Sequence, residues 1–322
     1  MPHPSVIKKS PSYYDSKRVD SKRPLSLLPW MDVALSHVIG NTNPLLKAWS
    51  MYLAADGVGA LISLVTGSHV HLDLIGSGAF ALAAIPYLTS SLQHVQWSAY
   101  AVTLWGTKLA LFLFLRATQV GHDQRLTDTL STSSGTFGFW LFTLLWQVMV
   151  SLPLYLGALS TKPIVAGGGD ALWLKGGALL YVLGLVVETL ADGQKYMFKQ
   201  SHPGQFCNVG LWSISQHPNF LGNLILWSGI LMMNVPHLID MQVPTTSAAA
   251  SSITDLLRQL WSYKRLALAC VSPLFLWSLF HAQAQGTLTP TLELAKAKYG
   301  NDPAYAQYIQ QVPLIIPKLF RR

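Results

Sequence analysis

Phe137–Leu159 reads FGFWLFTLLWQVMVSLPLYLGAL and Phe220–Ile239 reads FLGNLILWSGILMMNVPHLI, with no Asp, Glu, Lys or Arg in either. A core helix of a soluble protein keeps a polar stripe for water, and these stretches have none. A bilayer core of roughly 30 Å takes about 20 largely apolar residues in helix, because lipid offers no partner to an open backbone amide. Both stretches therefore predict transmembrane helices, and the fold class they predict is all-α: a polytopic transmembrane helical bundle. Moving outward, Trp97–Leu115 (around Lys108), Ala171–Leu190 (with Lys175 and Glu188) and Arg265–Ala282 predict three more spans. Leu72–Leu92 is rich in Gly and Ala with Asp73 at its edge, and Leu45–Thr66 carries Asp56 in mid-span, so their patterns are weaker. The total is six or seven spans. The bias of Lys and Arg toward the cytoplasmic side favours six, with Leu45–Thr66 re-entrant or interfacial, because six spans put both basic ends on one side.

Composition agrees with a membrane chain. Of 322 residues 51% are hydrophobic, while Lys and Arg number 22 and Asp and Glu 14. The net charge of +8 sits at the ends: six basic residues lie within positions 1–23, among them Lys8, Lys9 and Arg18, and five within 283–322. The 259 residues between hold eleven basic and ten acidic groups, so there is no basic face to neutralise a phosphate backbone, which excludes nucleic acid as a partner. Membrane lipids are the expected partners; oligomeric state is left open. Residues 1–44 read as a basic polar extension and 45–322 as the transmembrane helical domain. The first 30 residues lack an apolar core for a cleavable secretory signal, and their Ser and Lys content is compatible with organelle targeting. Cys207 and Cys270 form no framework. His69 and His71 lack a third ligand, so no metal site is expected. The eleven Trp read as interfacial belt residues.

The densest polar stretch joins Leu190 to Phe220: Asp192, Gln194, Lys195, Tyr196, Lys199, His202 and Asn208, followed by GLWSISQHPNFLGN over Gly210–Asn223. Gly and Pro within it let the backbone turn sharply and bring amides near a ligand. Residues 191–223 are accordingly the expected cofactor-binding loop, the plainer reading being a solvated connector. Glu188 and Asp192 share a helix face at i and i+4, and an acid at membrane depth is a functional candidate unless Lys175 or Lys195 simply pairs with it. Lys195 and Lys199 share a face and suit phosphate as point charges. Pro218 restricts His217 and starts a helix, so capping is the alternative role for Asn219.

Gly210, Leu211, Trp212, Ser215, Gln216, His217, Pro218, Asn219, Phe220, Gly222 and Asn223 resemble, in order, a signature of the DUF1295 and steroid 5-alpha-reductase-like membrane family, itself related to isoprenylcysteine carboxyl methyltransferase-like enzymes. LWGTKLALFLFLR (104–116) with His122–Arg125, the Glu188–Lys199 element, and Glu293, Lys298–Gly300, Pro303, Tyr305, Tyr308 and Pro317 are similar to three further signatures, so the resemblance runs from about 97 to 322. It implies an integral membrane enzyme, on an internal membrane such as the endoplasmic reticulum in a eukaryote, which delivers hydride from NADPH to the C=C bond of a sterol-like or acyl enone. It makes Glu188 the catalytic candidate and Asp192, Lys195, Lys199, Gln216, His217, Asn219, Asn223, Tyr305 and Tyr308 the cofactor-binding candidates. No general acid is matched. The family's arginine, glutamate and tyrosine are Gln216, Asn223 and Phe220 in this chain. Two alternatives follow: a methyltransferase using S-adenosylmethionine, whose relatives carry a paired Glu-Glu where Glu293 precedes Leu294, and a non-catalytic lipid-binding relative.

Overall fold

A computed structural model describes residues 43–120, 126, 129–164, 168–240, 253–288 and 291–318. The basic extension up to residue 42, the 122–125 element, the low-complexity stretch 242–252 and Arg321–Arg322 lie outside them. Ten helices are followed here: α1 (Pro44–Thr66), α2 (Leu72–Ala84), α3 (Gln93–Val120), α4 (Ser133–Gly157), α5 (Gly169–Ser201), α6 (Pro218–Asn234), α7 (Ile253–Ser262), α8 (Lys264–Ala284), α9 (Thr291–Tyr299) and α10 (Pro303–Gln311). No strand occurs among the described residues, as the all-α reading requires.

Among the described residues five helices are long and apolar enough to cross a membrane: α1, α3, α4, α5 and α8. The expected six or seven is not reached by that measure, and the differences have physical causes. Leu45–Thr66 is a full helix rather than a re-entrant segment, started by Pro44 and by Asn43, whose side chain accepts from the Leu45 amide, and ended by Gly67 at φ 64°. Asp56 is tolerated in mid-helix because the Gln147 side chain donates to it at 3.0 Å from α4. The stretches from Leu72 and Phe220 give shorter helices than the apolar pattern predicts. Each tightens into a 3-10 turn, Ile85–Tyr87 and Val235–His237, at a proline that cannot donate to the helical ladder (Pro86 and Pro236).

The core centres on Phe80, whose ring lies 5.2 Å from Trp105, 4.8 Å from Trp146 and 5.6 Å from Trp227. This corrects the belt reading of the tryptophans. Trp105, Trp140, Trp212 and Trp227 are buried, and the first three carry their indole N–H to Glu188, Ser63 and the Ala191 carbonyl. Trp97, Trp173, Trp261 and Trp277 remain exposed.

The closest pairing is α5 against α6, and glycine permits it. Gly177 and Gly184 on α5 face Gly229 and Gly222 on α6, and a Cβ at any of the four would overlap the partner's backbone. At about 1.5 Å per residue the 33 residues of α5 span roughly 50 Å, more than a hydrocarbon core, so its C-terminal turns with Asp192, Lys195 and Lys199 reach one end of the bundle. The start of α6, the end of α3 and the end of α8 meet them there, and α9 and α10 pack over the 202–217 loop.

Candidate functional site

Glu188 is 3% exposed, and three donors from two other helices converge on its carboxylate. Trp105 Nε1 and Asn223 Nδ2 reach Oε1 at 3.2 and 2.9 Å, and Lys108 Nζ reaches Oε2 at 3.1 Å. The cation is thus neither Lys175 nor Lys195 but Lys108 of α3, 80 positions away in sequence. Lys108 also lies 3.7 Å from Asp192, so one ammonium bridges both carboxylates of the α5 face. A carboxyl group that accepts from an ammonium, an indole N–H and an amide N–H is fixed in place by its partners. Asn223, standing where the resembled family has glutamate, is what allows this. An amide donates to Glu188, whereas a second carboxylate would share a proton with it or repel it.

Beside this centre a cavity of about 410 Å3 opens among α2, α3, α4, α5, α6 and α8. Its walls are mainly apolar, with Leu109, Phe139, Phe142, Trp146 and Phe280, and its polar rim holds Glu188, Asp192, Asn219 and Asn223. A second cavity of about 280 Å3 shares Arg116, Asp192 and Asn219 with the first and adds Lys195 and Lys199. A third, about 220 Å3, shares those two lysines and is walled by Trp212, His217, Tyr299, Tyr305 and Tyr308. The three adjoin, running from a greasy chamber through a cationic neck to an aromatic chamber beneath α9 and α10.

All ten sequence-predicted residues touch this system, in different ways. Asn219 is the second residue of α6, not its cap: that position is His217, and no side chain caps there. Asn219 Oδ1 is buried with no partner among the described residues, as is Asn223 Oδ1, and both asparagines line the first cavity. Lys195 Nζ sits 4.3 Å above the Trp212 ring, and Lys199 reaches the Tyr299 hydroxyl at 2.7 Å and the Gln205 carbonyl. His217 stacks on Phe220 at 4.8 Å, and burial together with the Lys195 charge pushes its imidazole down to about 4, so it is neutral at pH 7. Gln216 and Tyr308 have a holding task. The Gln216 side-chain amide donates to the Val312 and Ile309 carbonyls at 2.6 and 3.1 Å, and the Tyr308 hydroxyl donates to the Trp212 carbonyl at 2.8 Å. Burial raises the Tyr308 hydroxyl, which therefore stays protonated. Tyr305 is buried against Phe206 at 5.2 Å.

Lys108, Trp105, Arg116, Tyr299, Phe206 and Gln283 were absent from the sequence reading of the site. The available signals were a lysine inside an apolar span, which needs an acid at the same depth, and the arginine closing LWGTKLALFLFLR. His71 bonds Ser63 and the Gly59 carbonyl instead of a metal. Among the described residues no group of three or more His, Cys, Asp or Glu is placed to hold one. Cys207 is buried in a small cluster with Ala191 and Trp212.

A bundle with five membrane-length helices and a mixed apolar and cationic cleft at one end fits an integral membrane protein. The chain belongs to the DUF1295 family, described as proteins of unknown function, whose model matches residues 60–259, more than half of its length. The match starts earlier than the resemblance at Trp97 and stops before the C-terminal signature around Tyr305 and Tyr308. No curated protein and no solved structure matches the chain.

Proposed function

We propose that this protein is an integral membrane oxidoreductase that reduces a C=C bond of a lipid-soluble enone with NADPH. The observation that carries the reading is the adjoining of an apolar chamber and a cationic, aromatic cleft through Arg116, Asp192 and Asn219. A lipophilic reactant and a polyanionic dinucleotide need two such environments side by side. The chain's own residues suit the dinucleotide. Arg116, Lys195 and Lys199 bring three cations to the neck against the single carboxylate of Asp192, and the orphaned amide oxygen of Asn219 needs a donor.

When bound, NADPH supplies the hydride. The protein's part is to bind, orient and exclude water. Trp212, Tyr299 and Tyr305 wall the third cavity, and the cations of the neck would hold phosphate oxygens. Asn219 and Asn223, whose side-chain oxygens lack a donor among the described residues, would accept from the cofactor's amide at the chamber boundary. Glu188, held by Lys108, Trp105 and Asn223, fixes the position of that boundary, and Phe139, Phe142, Trp146 and Phe280 keep it dry. S-adenosylmethionine suits the cleft less well, because its sulfonium would meet lysines already seated on the Trp212 and Tyr299 rings. Purified protein in nanodiscs, given NADPH and a panel of steroid and acyl enones, should consume NADPH with at least one of them and release the saturated ketone. Methyl transfer from S-adenosylmethionine to a lipid acceptor, with no NADPH consumption, would replace this reading.

A further inference from the structure

Helix α7 is the amphipathic element of the chain that the proposed chemistry does not use. Its C-terminal end is tied down: the Ser262 carbonyl accepts from the Asp240 amide at 2.9 Å, and Ser262 is buried. The Asp240 carboxylate holds Arg265 and approaches Lys264 at 3.9 Å, at the start of α8. At about 100° per residue, Leu257, Leu260 and Trp261 fall on the side of α7 opposite Ser262. They are 59%, 61% and 69% exposed. Three large apolar side chains at i, i+3 and i+4, turned away from the anchored side of the helix, form a face that no described residue covers.

We propose that this face lies in the interfacial region of the bilayer, its occupant being the headgroup and upper acyl layer of zwitterionic phospholipid. Two observations favour lipid over a second copy of the chain, and a third bears on the headgroup. The face continues directly into the membrane-length helix α8, whose Leu268 and Leu274 are 52% and 64% exposed. Trp261 and Tyr263 are exposed at the junction, and Lys264 Nζ lies 4.6 Å over the Trp261 ring, the arrangement of an aromatic residue and a snorkelling lysine at a membrane edge. The helix sequence carries one Asp and one Arg, so nothing in it selects anionic lipid. The surface adjoins the start of α8, whereas the cleft meets its end, at Phe280 and Gln283, so the proposal is independent of the reductase reading.

The test uses the full chain in phosphatidylcholine nanodiscs. An environment-sensitive fluorophore is attached through Leu260→Cys, or through Gln259→Cys on a side pointing away from the face, in a Cys207→Ser, Cys270→Ala background. Insertion of about 5–10 Å below the headgroups predicts a blue-shifted emission at position 260, quenched at least about twofold more by brominated acyl chains than at position 259. Equal, water-like emission at both positions would overturn the proposal. So would emission at 260 that is insensitive to brominated lipid but self-quenches between chains, which would mark a protein interface. If the cysteine-free background does not fold, the unlabelled protein and its Trp261→Phe variant serve instead. The fluorescence lost in the variant must be the part that brominated lipid quenches, and a Trp261 contribution untouched by bromine would contradict the proposal.

Discussion

Glu188 is held at membrane depth by Lys108, Trp105 and Asn223, which all donate to it. Removing the cation leaves a buried, uncompensated carboxylate, so Lys108→Met should cost about 3–5 kcal/mol of stability and Lys108→Arg much less, measured by thermal unfolding in detergent. Asn219 Oδ1 has no partner among the described residues, and supplying one is the function proposed for the bound dinucleotide. Asn219→Ala should therefore weaken NADPH binding about tenfold, equivalent to roughly 1.4 kcal/mol, with the melting temperature of the free protein unchanged. His217 titrates at about 4 in the folded chain and at 6.5 when unfolded. Below pH 6.5 the unfolded chain takes a proton that the native one refuses, so stability is full above 6.5 and declines from 6.5 toward 4. His217→Asn should flatten that acid slope in melts recorded between these limits. Local sequence singles out Glu188, Asn219 and His217 as candidates but not the partners that hold Glu188. Lys108 pairs with Glu188 across 80 positions, a relation that no local spacing encodes.

At the scale of elements, α5 and α6 pack through Gly177, Gly184, Gly222 and Gly229, where a methyl group has no room. Gly184→Ala or Gly222→Ala should each destabilise by about 1–3 kcal/mol through forced separation of the helices. Gly57→Ala on α1, which meets nothing within 4 Å, should be neutral or slightly stabilising. Thermal melts of the three variants check the contrast. Apolar runs made the long helices legible, since a charge-free stretch such as Phe137–Leu159 has few other ways to fold. Prolines hid the ends of two others: Pro86 and Pro236 lie inside apolar runs and convert the last turn of each helix to 3-10 geometry. Asp56 misled in the opposite direction, because the Gln147 amide that makes it tolerable comes from another helix.

Across the whole molecule, one end of the bundle gathers the adjoining cavities. The greasy chamber, the cationic neck and the aromatic chamber join there, and the segment 309–315 is clamped to the loop by Gln216 and Ser215. That clamp explains how a glutamine serves at a position where the resembled family has arginine: two N–H groups meet two backbone carbonyls, a task that needs no charge. The resemblance singled out Tyr308 without its partner: its hydroxyl donates to the backbone of the very loop it covers. The central claim is that this cleft receives a phosphate-bearing dinucleotide. Thermal unfolding of the purified chain in detergent, with NADPH or S-adenosylmethionine at equal concentration, tests it most directly. A melting temperature that rises with NADPH alone, and rises less in the Asn219→Ala variant, is the predicted result; no rise with NADPH, or a rise with S-adenosylmethionine only, would contradict it.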